Sequence, residues 1–195
     1  LVVRSKKFDR RKPAEKEAAL LFEQENVGKI ILDDEEWERM DTMIANLNEA
    51  YGHLLSISEK EVSVFCKDEG TGLMLKGRLD LYCPATKTIY DLKTCEDASF
   101  RAFKSDFYKR DYALQCWHYT NVAKNAGLAV EKFVFIASEK KAPNLCNAYP
   151  VVFDLTFAHR WEEEYKALLK TWAEAKETNV FKKPSDSEPR TIVIS

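Results

Sequence analysis

Two aspartates stand inside short apolar segments on either side of a compact turn. The first segment is Gly77-Arg78-Leu79-Asp80-Leu81-Tyr82, the link is Pro84-Ala85-Thr86-Lys87, and the second is Ile89-Tyr90-Asp91-Leu92-Lys93-Thr94. Both segments read as strands, and the proline and short length of the link read as a hairpin turn. A turn closed by Cys83 and Thr88 sets a register in which Asp80 lies directly opposite Asp91. Side chains alternate with a period of two, so Lys93 projects from the same face as Asp91. Like charges facing each other across an antiparallel pair are destabilising. A chain that accepts two carboxylates and an ammonium there uses them to hold a cation.

The remaining sequence bounds what can surround this hairpin. At 195 residues the chain can form one domain with a full core. That domain reads as a helical part over 1–50, a sheet and helices over 51–154, and a final helix and tail over 155–195. A hydrophobic share of 45% with 32% charged residues is ordinary for a globular domain. The net charge of −2 provides no general attraction to nucleic acid, so any binding of such a polyanion would have to rest on local basic patches. No apolar run approaches the roughly 20 residues of a membrane span, and charge follows Leu1-Val2-Val3 too soon for a signal peptide. Cys66, Cys83, Cys95, Cys116 and Cys146 are widely spaced and odd in number, which argues for reduced thiols in a cytoplasmic protein.

Element by element, residues 8–25 read as a first helix. Asp33 or Asp34 then caps a second, whose Trp37, Met40, Ile44 and Leu47 recur at helical spacing until Gly52 breaks the pattern. Strands are predicted over 61–67, 73–82 and 88–93, helices over 98–106 and 112–125, and strands over 130–137 and 148–154. Phe157, Trp161, Tyr165, Leu168, Leu169 and Trp172 form the stripe of a last helix, and Lys183 to Pro189 reads as a tail or loop. This order of elements implies an α/β fold, a mixed central β-sheet flanked by helices.

A longer string of residues carries a family resemblance. It runs from Glu61-Val62-Ser63-Val64-Phe65 through Gly77-Arg78-Leu79-Asp80 and Asp91-Leu92-Lys93-Thr94 to Gln115-Cys116-Trp117-His118-Tyr119. This ordered set resembles the PD-(D/E)XK nuclease superfamily, with its restriction-endonuclease-like core. Within it, the set is similar to the exonuclease VIII (RecE-type) branch of phage and prophage exonucleases and, more distantly, to the RecB nuclease domain. The resemblance implies a Mg2+- or Mn2+-dependent hydrolase acting on double-stranded DNA ends, 5′ to 3′. It also implies a ring-shaped homo-oligomer and a single-strand annealing protein as partners.

Phosphodiester hydrolysis needs an activated water, a clamp on the phosphate and relief for the leaving oxygen, all of which carboxylate-held divalent ions can supply. Asp80, Asp91 and, by the resemblance, the Leu92 carbonyl are the expected ligands. Lys93 is expected to position the attacking water and stabilise transition-state charge. The resemblance makes Glu61 an additional acid near the metals and places the Gln115/Tyr119 helix face beside them, the glutamine contacting phosphate or water. It also implies a metal-binding histidine upstream of these residues, a place that His53, His118 and His159 do not fill. Basic residues cluster around Arg10, Arg11 and Lys16, in a stretch like the family's Arg-Arg…Gly-Lys, and around Lys104 and Arg110. Phe100, Phe103, Phe107, Tyr108 and Tyr112 interleave the second cluster, the composition of a nucleic-acid surface. The alternatives are an endonuclease of the same superfamily, or a nuclease-fold module that binds DNA or a partner with little cleavage.

Overall fold

The computed structural model describes residues 1–181. Five strands form one mixed sheet in the order of the chain: β3 (Glu59–Lys67), β4 (Met74–Cys83), β5 (Thr88–Cys95), β6 (Lys132–Glu139) and β7 (Cys146–Val151). Neighbours are antiparallel except β5 and β6, which run parallel. The crossover that a parallel pair requires carries two helices, α3 (Phe100–Lys109) and α4 (Tyr112–Asn125). Ahead of the sheet come β1 (Val2–Arg4), α1 (Pro13–Glu25), β2 (Ile30–Leu32) and α2 (Asp34–Ile57), and α5 (Leu155–Thr178) follows it. This is the mixed sheet flanked by helices that the sequence implied. The segment Lys183 to Pro189 lies outside the described residues.

Several boundaries differ from the sequence reading. The first helix starts at Pro13, because residues 9–12 form a turn in which the Asp9 carboxylate accepts the Arg11 N–H while the Asp9 N–H reaches Glu15. The three-residue strands β1 and β2 pair in parallel on either side of α1, a pairing too short for any periodicity to announce. Asp33 caps α2 in a full capping box with Glu36, but the helix runs through Gly52 to Ile57. A glycine inside a helix costs only about 1 kcal/mol, and Leu54, Leu55 and Ile57 sustain the pattern beyond it.

The core lies between the sheet and the α3–α4 layer. Phe103 of α3 packs on Phe135 and stacks on Tyr149, while Cys116, Val122 and Ala123 of α4 are buried against the sheet. Asp111, in the left-handed conformation that aspartate tolerates better than most residues, turns the chain from α3 into α4. Gly77 lets α4 approach β4: a Cβ there would meet Val64 at 3.3 Å and the Tyr119 ring at 3.4 Å. The other face of β5 and β6 looks toward α2 across a groove lined by Met40, Met43, Leu47, Leu92 and Ile136. Toward the hairpin end of β3 and β4, this second face carries only exposed residues.

The sheet changes face at one level. Leu79 and Tyr82 both belong to the core under α4, although residues three apart on a regular strand point to opposite sides. At the same level Glu61 of β3 has a φ of 55°. The rungs Lys60–Leu81 and Val62–Leu79 form, and the rung between them, Glu61–Asp80, is missing. On the β5 side the ladder stops at Leu81–Tyr90. Asp80 therefore sits at a kink, outside the ladder on both sides.

Candidate active site

The kink sets the geometry of the site. The predicted hairpin register is present at Cys83–Thr88, Tyr82–Ile89 and Leu81–Tyr90, and it breaks before Asp80 reaches a rung with Asp91. Asp80 instead turns its carboxylate sideways and accepts the Leu92 N–H at 2.7 Å, replacing a backbone acceptor. Local irregularities of this kind re-aim side chains and are frequent beside active sites.

Asp91 projects into the α3–α4 layer and is 1% exposed. Its Oδ2 accepts a hydrogen bond from Gln115 Nε2 at 2.8 Å. Its Oδ1 is ion-paired with the Lys93 ammonium and receives no well-directed hydrogen bond among the described residues. Burial pushes the Asp91 carboxyl up to about 6; Lys93 opposes that rise and the nearby Asp80 adds to it. Lys93 lies over the Tyr112 ring at 4.8 Å and the Phe135 ring at 5.5 Å, so two aromatic faces share its charge with Asp91.

The structure thus brings Asp80, Asp91, Lys93 and Gln115 together around the backbone of Leu92. Tyr119 lies one helical turn beyond Gln115, and its ring packs on Gly77. Glu61 is placed elsewhere: its carboxylate is exposed and ion-paired with Arg78 at 2.8 Å, because the backbone reversal at this residue turns it away. Among the described residues no three His, Cys, Asp or Glu side chains gather as a metal cluster. The donors present are two carboxylates and the Leu92 carbonyl. In a strand the N–H and C=O of one residue point the same way, so that carbonyl shares the side on which Asp80 lies. Hard oxygens of this kind suit magnesium, which commonly takes one or two carboxylates and keeps several waters.

The basic clusters are less free than their sequence implied. Arg10 pairs with Glu23, Arg11 with Asp9 at 2.8 Å, and Arg110 with Asp106 at 3.8 Å. Lys104 lies near the Phe100 ring at 6.0 Å, and Lys16 is exposed on α1. Of the interleaved aromatics, Phe100 and Tyr108 are exposed, whereas Phe103 is core and Tyr112 faces Lys93. Sequence reasoning missed the inward roles of Tyr112 and Phe135. Tyr112 was within reach, three residues before Gln115 on the same helix face; Phe135 was not, since it depends on the β5–β6 pairing.

His118 is a structural bridge. Its Nε2–H donates to the Lys76 carbonyl at 3.0 Å, which leaves Nδ1 to accept from the Tyr165 hydroxyl at 2.8 Å. Burial holds that hydroxyl near a pKa of about 12. No helix among the described residues is long and apolar enough to cross a membrane.

Comparison with known proteins agrees with this architecture. No curated protein sequence matches the chain. A structure described as a putative exonuclease from Eubacterium rectale superposes with a TM-score of 0.55 at 15% identity, covering 92% of this chain and 72% of the other. A phage-related exonuclease from Haemophilus somnus 129PT superposes with a TM-score of 0.50 at 12% identity, covering 87% of this chain and 85% of the other. At such identities the likeness is one of fold. A family model described as "PDDEXK-like domain of unknown function (DUF3799)" matches residues 5–189, nearly the whole chain, and the protein belongs to that PDDEXK-like family.

Proposed function

We propose that this protein is a metal-dependent deoxyribonuclease, and specifically a 5′-to-3′ exonuclease that acts on double-stranded DNA ends in a phage or prophage recombination system. The observation that carries the reading is the Asp80–Leu92–Asp91–Lys93 arrangement at the sheet kink, with Gln115 fixing the second carboxylate. A divalent ion bound there would supply polarisation of the phosphate and a more acidic water. Asp80, Asp91 and the Leu92 carbonyl would hold it. The amide of Leu92 orients Asp80, and the amide of Gln115 orients Asp91. The Lys93 ammonium, held in place by one carboxylate and two rings, presents N–H donors to a phosphate oxygen and to an attacking water. It acts as a donor already fixed where negative charge develops.

Duplexes labelled at either the 5′ or the 3′ end, alongside covalently closed circles, test this reading when incubated with Mg2+ or Mn2+. The expected result is progressive loss of linear DNA from its 5′ ends with closed circles intact. Linearisation of the circles would instead identify an endonuclease. DNA bound but uncut with either ion would identify a binding module.

A further inference from the structure

The hairpin ends of β3 and β4 present one sheet face that nothing in the described structure covers. Three cross-strand pairs form it: Ser63–Arg78, Phe65–Lys76 and Lys67–Met74, all six residues exposed. The intervening pairs Val62–Leu79, Val64–Gly77 and Cys66–Leu75 point the other way, toward α4 and the core. Phe65 is 59% exposed and Met74 65%, although a solvated antiparallel face normally carries polar residues. Lys67, Lys76 and Arg78 surround Phe65. Among the described residues Lys67 and Lys76 make no ion pair, and Arg78 pairs with Glu61. Of the nearby acids, Asp68 is engaged by Thr71 in the turn, and Glu69 is at the tip of the turn.

We infer that this face binds a single DNA strand, with its phosphates on Lys67, Lys76 and Arg78 and a base stacked on Phe65. The inference rests on the nuclease reading above and extends it to a surface outside the metal-site residues. Charge complementarity selects an anionic occupant, and the isolated ring selects one with a planar face to stack. A flat sheet offering one exposed ring can stack only an unpaired base, which favours a single strand over a duplex. Lys76 and Arg78 are successive same-face residues, about 6.8 Å apart on an antiparallel strand. The line they define runs toward the kink at Asp80, on the sheet face opposite the one from which Asp91 reaches the α3–α4 layer.

The test uses the full chain, a fluorescein-labelled dT20 oligonucleotide and anisotropy in EDTA, which separates binding from cleavage. The variants are Phe65→Ala, Phe65→Trp and the double variant Lys67→Ala/Lys76→Ala, all altering exposed side chains outside the metal-site residues. Phe65→Ala is expected to weaken binding at least about fivefold, the lower limit for one stacked base, with Phe65→Trp restoring it. The double variant is expected to reduce the slope of log affinity against log salt by about 1.4, the loss of two phosphate contacts to a single strand. Circular dichroism and melting should match wild type in each case. Wild-type affinity and slope in Phe65→Ala and the double variant would overturn the inference, leaving the nuclease reading intact if the wild type still cuts duplex. A salt-slope loss with Phe65→Ala unchanged would mean a generic anion patch, and would also overturn it. A wild type that neither binds dT20 nor cuts duplex would overturn both.

Discussion

Asp91 stands at a balance point between burial and its partners. Its carboxyl, raised to about 6, is destabilised as an anion by burial and by Asp80, and held as one by Lys93 and Gln115. Lys93→Ala removes the cation, and Asp91 can answer by taking up a proton instead of remaining as an unpaired charge. The loss of stability at pH 7 should therefore stay below about 2 kcal/mol, less than the usual penalty for breaking a buried pair. Cleavage should fall at least about 100-fold, the scale set by losing one preorganised donor at a developing charge. Duplex affinity should change little, because one ammonium is a small part of phosphate binding. Urea unfolding, turnover and anisotropy on the same variant separate these three effects. Wild-type turnover in Lys93→Ala would remove lysine from the chemistry.

At the scale of elements, the α4–β4 contact and the α5–β4 bridge each make a prediction. Gly77→Ala should destabilise by about 1–3 kcal/mol, because the new methyl would press Val64 and the Tyr119 ring at 3.3 and 3.4 Å. Denaturant titration checks it, and an unchanged midpoint would mean that α4 can simply lift. Tyr165 ties α5 to β4 through His118. Its folded pKa of about 12 exceeds the ordinary value of 10, so between those values the unfolded chain gives up a proton that the folded chain keeps. Stability from this source is complete below pH 10 and is lost as pH rises toward 12. Tyr165→Phe should flatten that part of the pH–stability curve, measured by chemical denaturation from pH 9 to 11.5. The same elements show what sequence could convey. The hairpin register as far as Leu81–Tyr90, the Asp33 cap and the span of α4 follow from local pattern, and all three are present. The kink is not local: it needs the backbone reversal at Glu61 and the interrupted rung at Asp80 together, on strands joined by a separate turn. That is why Asp80 and Lys93 could be chosen from spacing while the turning of Glu61 toward Arg78 could not.

Across the whole molecule, the sheet is divided at Asp80 into two parts with different surroundings. Beyond the kink, β5 and β6 lie between the α3–α4 layer and the α2 groove, which buries Asp91 and gives the site its low-dielectric side. Before it, β3 and β4 keep one face open, so a long anionic substrate could approach Asp80 from solvent. Under the proposed function, a chain of net charge −2 would serve DNA through local placement of a few cations instead of a general field. The most direct test is single-turnover cleavage of a 5′-labelled linear duplex with Mg2+, comparing wild type with Asp80→Asn. The amide can still accept from Leu92 and preserve the kink, but it lacks the ligand charge. Wild type is expected to release label rapidly and a folded Asp80→Asn protein at least about 100-fold more slowly. Equal rates for the two proteins would remove Asp80 from the chemistry.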